Sequence, residues 1–325
     1  MHRHLPACIL AILALLIALL APGPAQLATL ARVVRSQAPV TLVGNSAIRH
    51  HSRCDADPRG IGERLGEALG QPVLDLSDGG QTLEQGANLA AVALRARPGG
   101  TLVVPLSLFD FADWDVLPLQ ETLAWRTLNP ALPAPPLTDR LRAGRLLQGL
   151  APATRAAFTH RGEAYPGYEL VKTRWFAAEQ RAMRCPETDG QDLRFIEAFH
   201  AFQYAQLPVH AEALALLRAL ARQARDRGTR TLWVLMPVDL PLVAAMDPTL
   251  ADAVRARLQT LRERLTEADF AVLDLSDAVP REAFADRWCA CGHLLEAGRQ
   301  TVAQRIAQAL SRLAAPTGLT DERRS

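Results

Sequence analysis

The sequence predicts an α/β chain, a three-layer α/β/α sandwich on a central parallel sheet of about five strands, with a mostly helical insertion. Three observations predict it. Short β-rich runs alternate with amphipathic helical stretches at the spacing of βαβ units. Turn residues punctuate them, at Gly44, Asp78-Gly79-Gly80, Pro98-Gly99-Gly100 and Gly228. The composition is that of a globular protein, 49% hydrophobic and 22% charged over 325 residues. Such a chain buries enough surface to fold without a disulfide or a metal.

The elements follow in order. Pro39 to Val43 reads as a first buried strand ending at Gly44, and Ile61 to Leu69 has helical spacing. Pro72 to Leu76 is a second strand and Thr82 to Arg97 a helix; Thr101 to Leu106 is a third strand. From about 111 to 208 the pattern gives way to a stretch rich in Pro and aromatics, including Trp114, Trp125 and Trp175. A structureless loop of that length is improbable, so it reads as a helical insertion. Alternation resumes with a helix over Ala211 to Arg227, closed by Gly228, and a fourth strand over Thr231 to Met236. A helix from Leu250 to Leu265, a fifth strand from Phe270 to Leu275 and a helix from Leu295 to Leu313 complete the α/β domain, spanning 37–315. Residues 316–325 read as a disordered polar tail.

The first 25 residues read as an address. Behind His2-Arg3-His4 the chain is apolar from Leu5 to Ala21, broken only by Pro6. That length lies between a signal core of about 7–15 residues and a spanning helix of about 20. Two readings stay open: a signal cleaved after Ala25, or a retained N-terminal membrane anchor. Both place the remainder outside the cytoplasm, in the periplasm or on the outer face of the inner membrane. Four cysteines beyond the address, Cys54, Cys185, Cys289 and Cys291, fit an oxidising compartment as disulfide candidates. The balance of 36 basic to 34 acidic residues has no excess of the kind that marks a nucleic-acid binder.

Three places carry chemistry, each at the end of an element, where ligands of open α/β sheets bind. Gly44-Asn45-Ser46 follows the first strand; a serine opening a helix there is either a nucleophile awaiting a base or a helix cap. Asp78-Gly79-Gly80-Gln81 follows the second strand, where a glycine N–H is placed to donate to an oxyanion or merely to turn the chain. His293 precedes the last helix, and histidine is the usual base for a serine. The pairs His2/His4 and His50-His51 carry no specific signal, and His50-His51 read as facing solvent near the Ser46 helix.

In order and context these residues resemble the SGNH (GDSL-like) hydrolase family, through Gly44-Asn45-Ser46, Gly80 and His293-Leu294…Gly298. The resemblance implies a catalytic serine at Ser46, a base at His293, and an oxyanion hole from the backbone N–H groups of Ser46 and Gly80. The N-terminal address, Met236-Pro237-Val238 and Phe284-Ala285-Asp286 are similar to DltD-like and alginate-acetylation-like envelope proteins, which implies acylated envelope glycans as substrates and a membrane-bound O-acyltransferase as partner. No cofactor or metal is implied. Two departures stand against the family pattern. Ala290 occupies the usual place of the carboxylate partner of the histidine, which leaves Asp286 as the substitute. Phe109, in Ser107-Leu108-Phe109-Asp110, replaces an asparagine that donates to the oxyanion, a loss typically worth about 10²–10³ in rate. The alternative is therefore a catalytically impaired scaffold that binds an envelope glycan or a membrane acyltransferase. A zinc site from Cys289, Cys291 and His293, with Cys54 or His50-His51, is a third reading, at a spacing that matches no standard pattern. If Ser46 and His293 meet, a disulfide from Cys54 to Cys289 or Cys291 would staple their loops, leaving Cys185 to pair with the other.

Overall fold

A computed structural model describes residues 24–52, 55–79, 81–112, 129, 132, 211–246, 248–268, 270–285 and 292–314. Five strands, β1 (Val40–Leu42), β2 (Val73–Asp75), β3 (Thr101–Leu106), β4 (Arg230–Leu235) and β5 (Val272–Asp274), form one sheet in the order β2-β1-β3-β4-β5. Every neighbouring pair is parallel. The expected three layers are present. On one face lie α3 (Ile61–Leu69) and α9 (Glu296–Ala314), packed on each other. On the other lie α4 (Leu83–Ala96), α6 (Ala211–Asp226) and α8 (Pro248–Glu267), which share a second core. Short helices α2 (Ser46–Arg49), α5 (Phe109–Ala112) and α7 (Leu240–Met246) follow β1, β3 and β4.

The strand sequences explain the two cores. Side chains alternate across a strand, so Leu232 and Val234 enter the α3/α9 core while Trp233 and Leu235 enter the other. The central strand β3 is buried along its whole length, as its unbroken apolar run requires. Pro105 within it would ordinarily argue against a central strand. Its place resolves the conflict. Val103 accepts from the Val43 N–H at 3.2 Å, so alternate residues of β3 face β1. Pro105 therefore turns its missing N–H towards β1, past the point where β1 ends at Leu42.

Pro24–Arg35 is a helix, α1, in a stretch to which the sequence assigned no element. A proline at the first helical position suits the fixed φ of the ring. Val33 is fully buried in the core that α4 lines, so the packed unit starts earlier than residue 37. Of the expected insertion beyond α5, only Asn129 and Leu132 are described. Both are buried, and the Asn129 side-chain amide donates to the Asn88 Oδ1 on α4 at 2.8 Å. The rest of 111–208 beyond α5, residues 1–23 of the N-terminal address and the C-terminal tail lie outside the described residues. Among the described residues no helix is long and apolar enough to cross a membrane.

Candidate active site

At the carboxyl edge of the sheet the order 2-1-3 reverses the direction of winding, which makes the gap between β1 and β3 a topological switch point. Gly44 leaves β1 there. A Cβ on Gly44 would stand 2.8 Å from Ile48 Cγ1, so α2 can fold back onto the strand end only over a glycine. The Gly44 N–H donates to Gln81 Oε1 at 3.1 Å and its carbonyl accepts from the Asp78 N–H at 3.1 Å, which ties the turn to the loop after β2.

Asn45, not Ser46, caps α2. Its backbone is extended and its Oδ1 accepts from the Ala47 N–H at 3.0 Å. Ser46 is the first helical residue, its hydroxyl released from capping. Among the described residues nothing accepts from the Ser46 N–H.

His293 arrives from the opposite end of the chain. Phe284 and Leu294 form an antiparallel bridge; the Ala285 N–H donates to the His293 carbonyl and the Leu295 N–H to the Ala283 carbonyl, both at 2.8 Å. Gly298 lets the first turn of α9 close on this bridge, since a Cβ there would lie 2.8 Å from the Ala283 carbonyl oxygen. The imidazole is buried, and its Nε2 lies 2.9 Å from Ser46 Oγ across 247 positions of sequence. That is hydrogen-bond reach for general-base activation of a hydroxyl.

The His50 ring lies against that ring at a tilt, with centroids 4.3 Å apart and planes inclined by 31°. This corrects the expectation that it faces solvent: His50 is half-buried, and His51 alone of the pair is exposed. The signal was available in the sequence. His50 is four residues after Ser46, which on a helix puts both on one face.

A polar clamp joins the two loops. Arg299 of α9 is fully buried and paired with Asp55 at 2.7 Å. Its guanidinium also donates to the carbonyls of Arg59, Asp57 and Leu294 at 3.0, 2.9 and 2.8 Å. Asp55 in turn accepts from the Glu296 N–H at 2.9 Å, and the Glu296 carboxylate accepts from the Asp57 N–H at 3.1 Å. The segment after Ser46 is thus fastened to the segment after His293 by a satisfied buried ion pair. Hydrogen bonds from Arg59 hold the Asp57 carboxyl well below the usual carboxylate range. No sequence pattern announced the clamp, because Asp55 and Arg299 are 244 positions apart.

Behind Asn45 lies a second polar cluster. The Asp110 carboxylate is buried and accepts from the Ser107 N–H at 2.7 Å and the Ser107 hydroxyl at 3.0 Å. Burial pushes its pKa up to about 6 against the opposing pull of these bonds.

The remaining expected site residues, Asp286, Gly80, Cys54, Cys185, Cys289 and Cys291, lie outside the described residues, as does the Phe109 side chain. Among the described residues no three His, Cys, Asp or Glu side chains cluster as a metal site would.

No protein-family model matches the chain. No curated protein matches it either. Solved structures do overlay on it. A lipase/acylhydrolase from Enterococcus faecalis is 12% identical, covers 85% of this chain and 97% of its own, and has a TM-score of 0.39. A member of the lipolytic G-D-S-L family from Veillonella parvula is 13% identical, with 84% and 98% covered and a TM-score of 0.37. The chemistry is carried by the contact between Ser46 and His293 itself.

Proposed function

We propose that this chain is a serine-dependent acyl-ester hydrolase or O-acyltransferase of SGNH (GDSL-like) type, acting outside the cytoplasm on acyl esters of cell-envelope glycans. The single observation behind it is the 2.9 Å contact between His293 Nε2 and a Ser46 hydroxyl that has no capping duty. His293 takes the Ser46 proton as Oγ attacks the ester carbonyl. The negative charge of the tetrahedral intermediate rests on the backbone N–H groups of Ser46 and Gly80. Collapse breaks the ester C–O bond, and the imidazolium returns its proton to the leaving alkoxide. The acyl-serine then passes its acyl group to water or to a sugar hydroxyl, again deprotonated by His293. Asp286 is the carboxylate that orients the imidazole; its chain neighbour Ala285 is bonded to the His293 carbonyl.

The apolar run from Leu5 to Ala21 supports export, and with it the envelope substrate and a membrane acyltransferase partner. Phe109 and Ala290 favour a second reading, a non-catalytic scaffold on the same fold. Fluorophosphonate labelling of the folded full-length protein separates the two. Labelling of the wild type that Ser46→Ala abolishes supports the enzyme. An unlabelled wild type that binds acylated glycan equally well with and without Ser46→Ala replaces it with the scaffold.

A further inference from the structure

The mechanism above leaves one buried ionisable group at the switch point unused. Asp110 stands at the start of the short helix after β3, with Ser107 satisfying its Oδ2 through both N–H and hydroxyl. Its other oxygen, Oδ1, faces the Asn45 side-chain amide at 3.4 Å, and the same amide lies 3.5 Å from Ser107 Oγ. Both contacts are at the long end of hydrogen bonding, so the amide is shared between two acceptors. The other end of that amide, Oδ1, caps the turn that bears Ser46. A planar amide cannot satisfy both ends in more than one orientation, so whatever fixes its nitrogen fixes the cap.

We propose that Asp110 is a positioning residue for the nucleophile: its buried carboxylate orients the Asn45 amide, and Asn45 in turn holds the first turn of α2 so that Ser46 meets His293. The proposal rests on the reading of Ser46 as nucleophile. The identity of the side chain matters as well as its shape. Burial works against a charge here, and an asparagine of the same size would fill the site without that opposition. An asparagine, however, would turn an amide N–H₂ towards the N–H₂ of Asn45, two donors face to face. A carboxylate is the group of this size that accepts from Ser107 and from Asn45 at once.

The test uses hydrolysis of p-nitrophenyl acetate by the full-length protein in mild detergent, with Ser46→Ala as the reference. Asp110→Asn is expected to lower kcat about 10-fold with KM within about 2-fold, because misplacing a reacting group costs rate and not ground-state binding. Asn45→Asp/Asp110→Asn restores an acceptor opposite a donor, with the polarity reversed. It is expected to recover kcat to within about 3-fold of wild type, a coupling that independent sites do not show. A merely structural Asp110 gives the opposite pattern, in which the double variant loses the product of the single losses. Wild-type kcat in Asp110→Asn, or absence of rescue in the double variant, overturns the proposal. If Asp110→Asn does not fold, Asn45→Asp and Asn45→Ala decide. A pure capping role makes Asn45→Asp the faster of the two. The proposal makes it the slower, since it sets two carboxylates against each other. Hydrolysis that survives Ser46→Ala at the wild-type rate defeats the nucleophile itself, an outcome distinct from all of these.

Discussion

Helix α6 packs on one face of the sheet and α9 on the other, yet α6 and the first turn of α9 are held by different forces. Every buried residue of α6 is Ala or Leu. The first turn of α9 instead buries Arg299 and carries Glu296, with Asp55, Asp57 and Arg64 brought against it from the loop after Ser46 and from α3. Apolar packing is non-directional and tolerates small shifts at little cost. A buried ion pair with its hydrogen bonds satisfied contributes little net stability but admits one geometry. The difference teaches that the body of the domain is built for stability, while the rim is built to register two loops that must meet within hydrogen-bond distance.

That contrast can be broken from either side. Arg299→Ala leaves Asp55 charged, buried and unpaired, and is expected to cost about 3–5 kcal/mol in chemical denaturation. It also lowers fluorophosphonate labelling of the fraction that remains folded; unchanged labelling in that fraction would show that the clamp registers nothing. Leu216→Ala on α6 is expected to cost about 2–5 kcal/mol by the same assay, through lost burial and a cavity. Here kcat of the folded protein stays within about 2-fold of wild type, and a loss as large as that of Arg299→Ala would erase the distinction between the two regions.

Protons sharpen the comparison further. Burial disfavours the charge on the Asp110 carboxyl and pushes its pKa up to about 6, from an ordinary carboxylate value of 3.8. The folded state therefore binds a proton in a range where the unfolded state does not. The resulting stabilisation, about 3 kcal/mol, is full below about pH 4 and is lost as pH rises through about 6. Unfolding curves of wild type and Asp110→Asn from pH 4 to 8 check this. The wild type is expected to lose stability relative to the variant on going up, and parallel curves would count against it. The smallest effect expected is that of His50→Ala. Removing the ring that lies against His293 takes away about 0.5–1.5 kcal/mol of aromatic contact. It lowers kcat by about 2- to 10-fold, with His50→Phe closer to wild type than His50→Ala in the same p-nitrophenyl acetate assay.

Much of this arrangement was legible along the chain. Ile61–Leu69 and Thr101–Leu106 have the boundaries their patterns predict, and the other strands and long helices fall within a few residues of expectation. Ser46 and His293 also stood out, as residue types with a known use at the ends of elements. Three things did not. Helix α1 was missed because an Arg-interrupted run of apolar residues reads ambiguously until Val33 finds a core to enter. The sequence offered Ser46 as the helix cap, and only the extended backbone of Asn45 and its bond from the Ala47 N–H show that Asn45 caps α2 instead. Asp55, Arg299 and Asp110 look in sequence like ordinary surface charges, and nothing local distinguishes a charge that will be buried with a partner from one that will stay in water.

The sequence by itself determined the five strands, the long helices other than α1, and which side chains are chemically able to act, because periodicity, turn residues and functional groups are properties of neighbours along the chain. The tertiary structure alone decided that the strands stack as β2-β1-β3-β4-β5, that Ser46 lies against His293 from 247 positions away, and that Arg299 is fastened to Asp55. Those are contacts between distant segments. Their energy comes from burial and pairing that exist only once the sheet has closed its two cores.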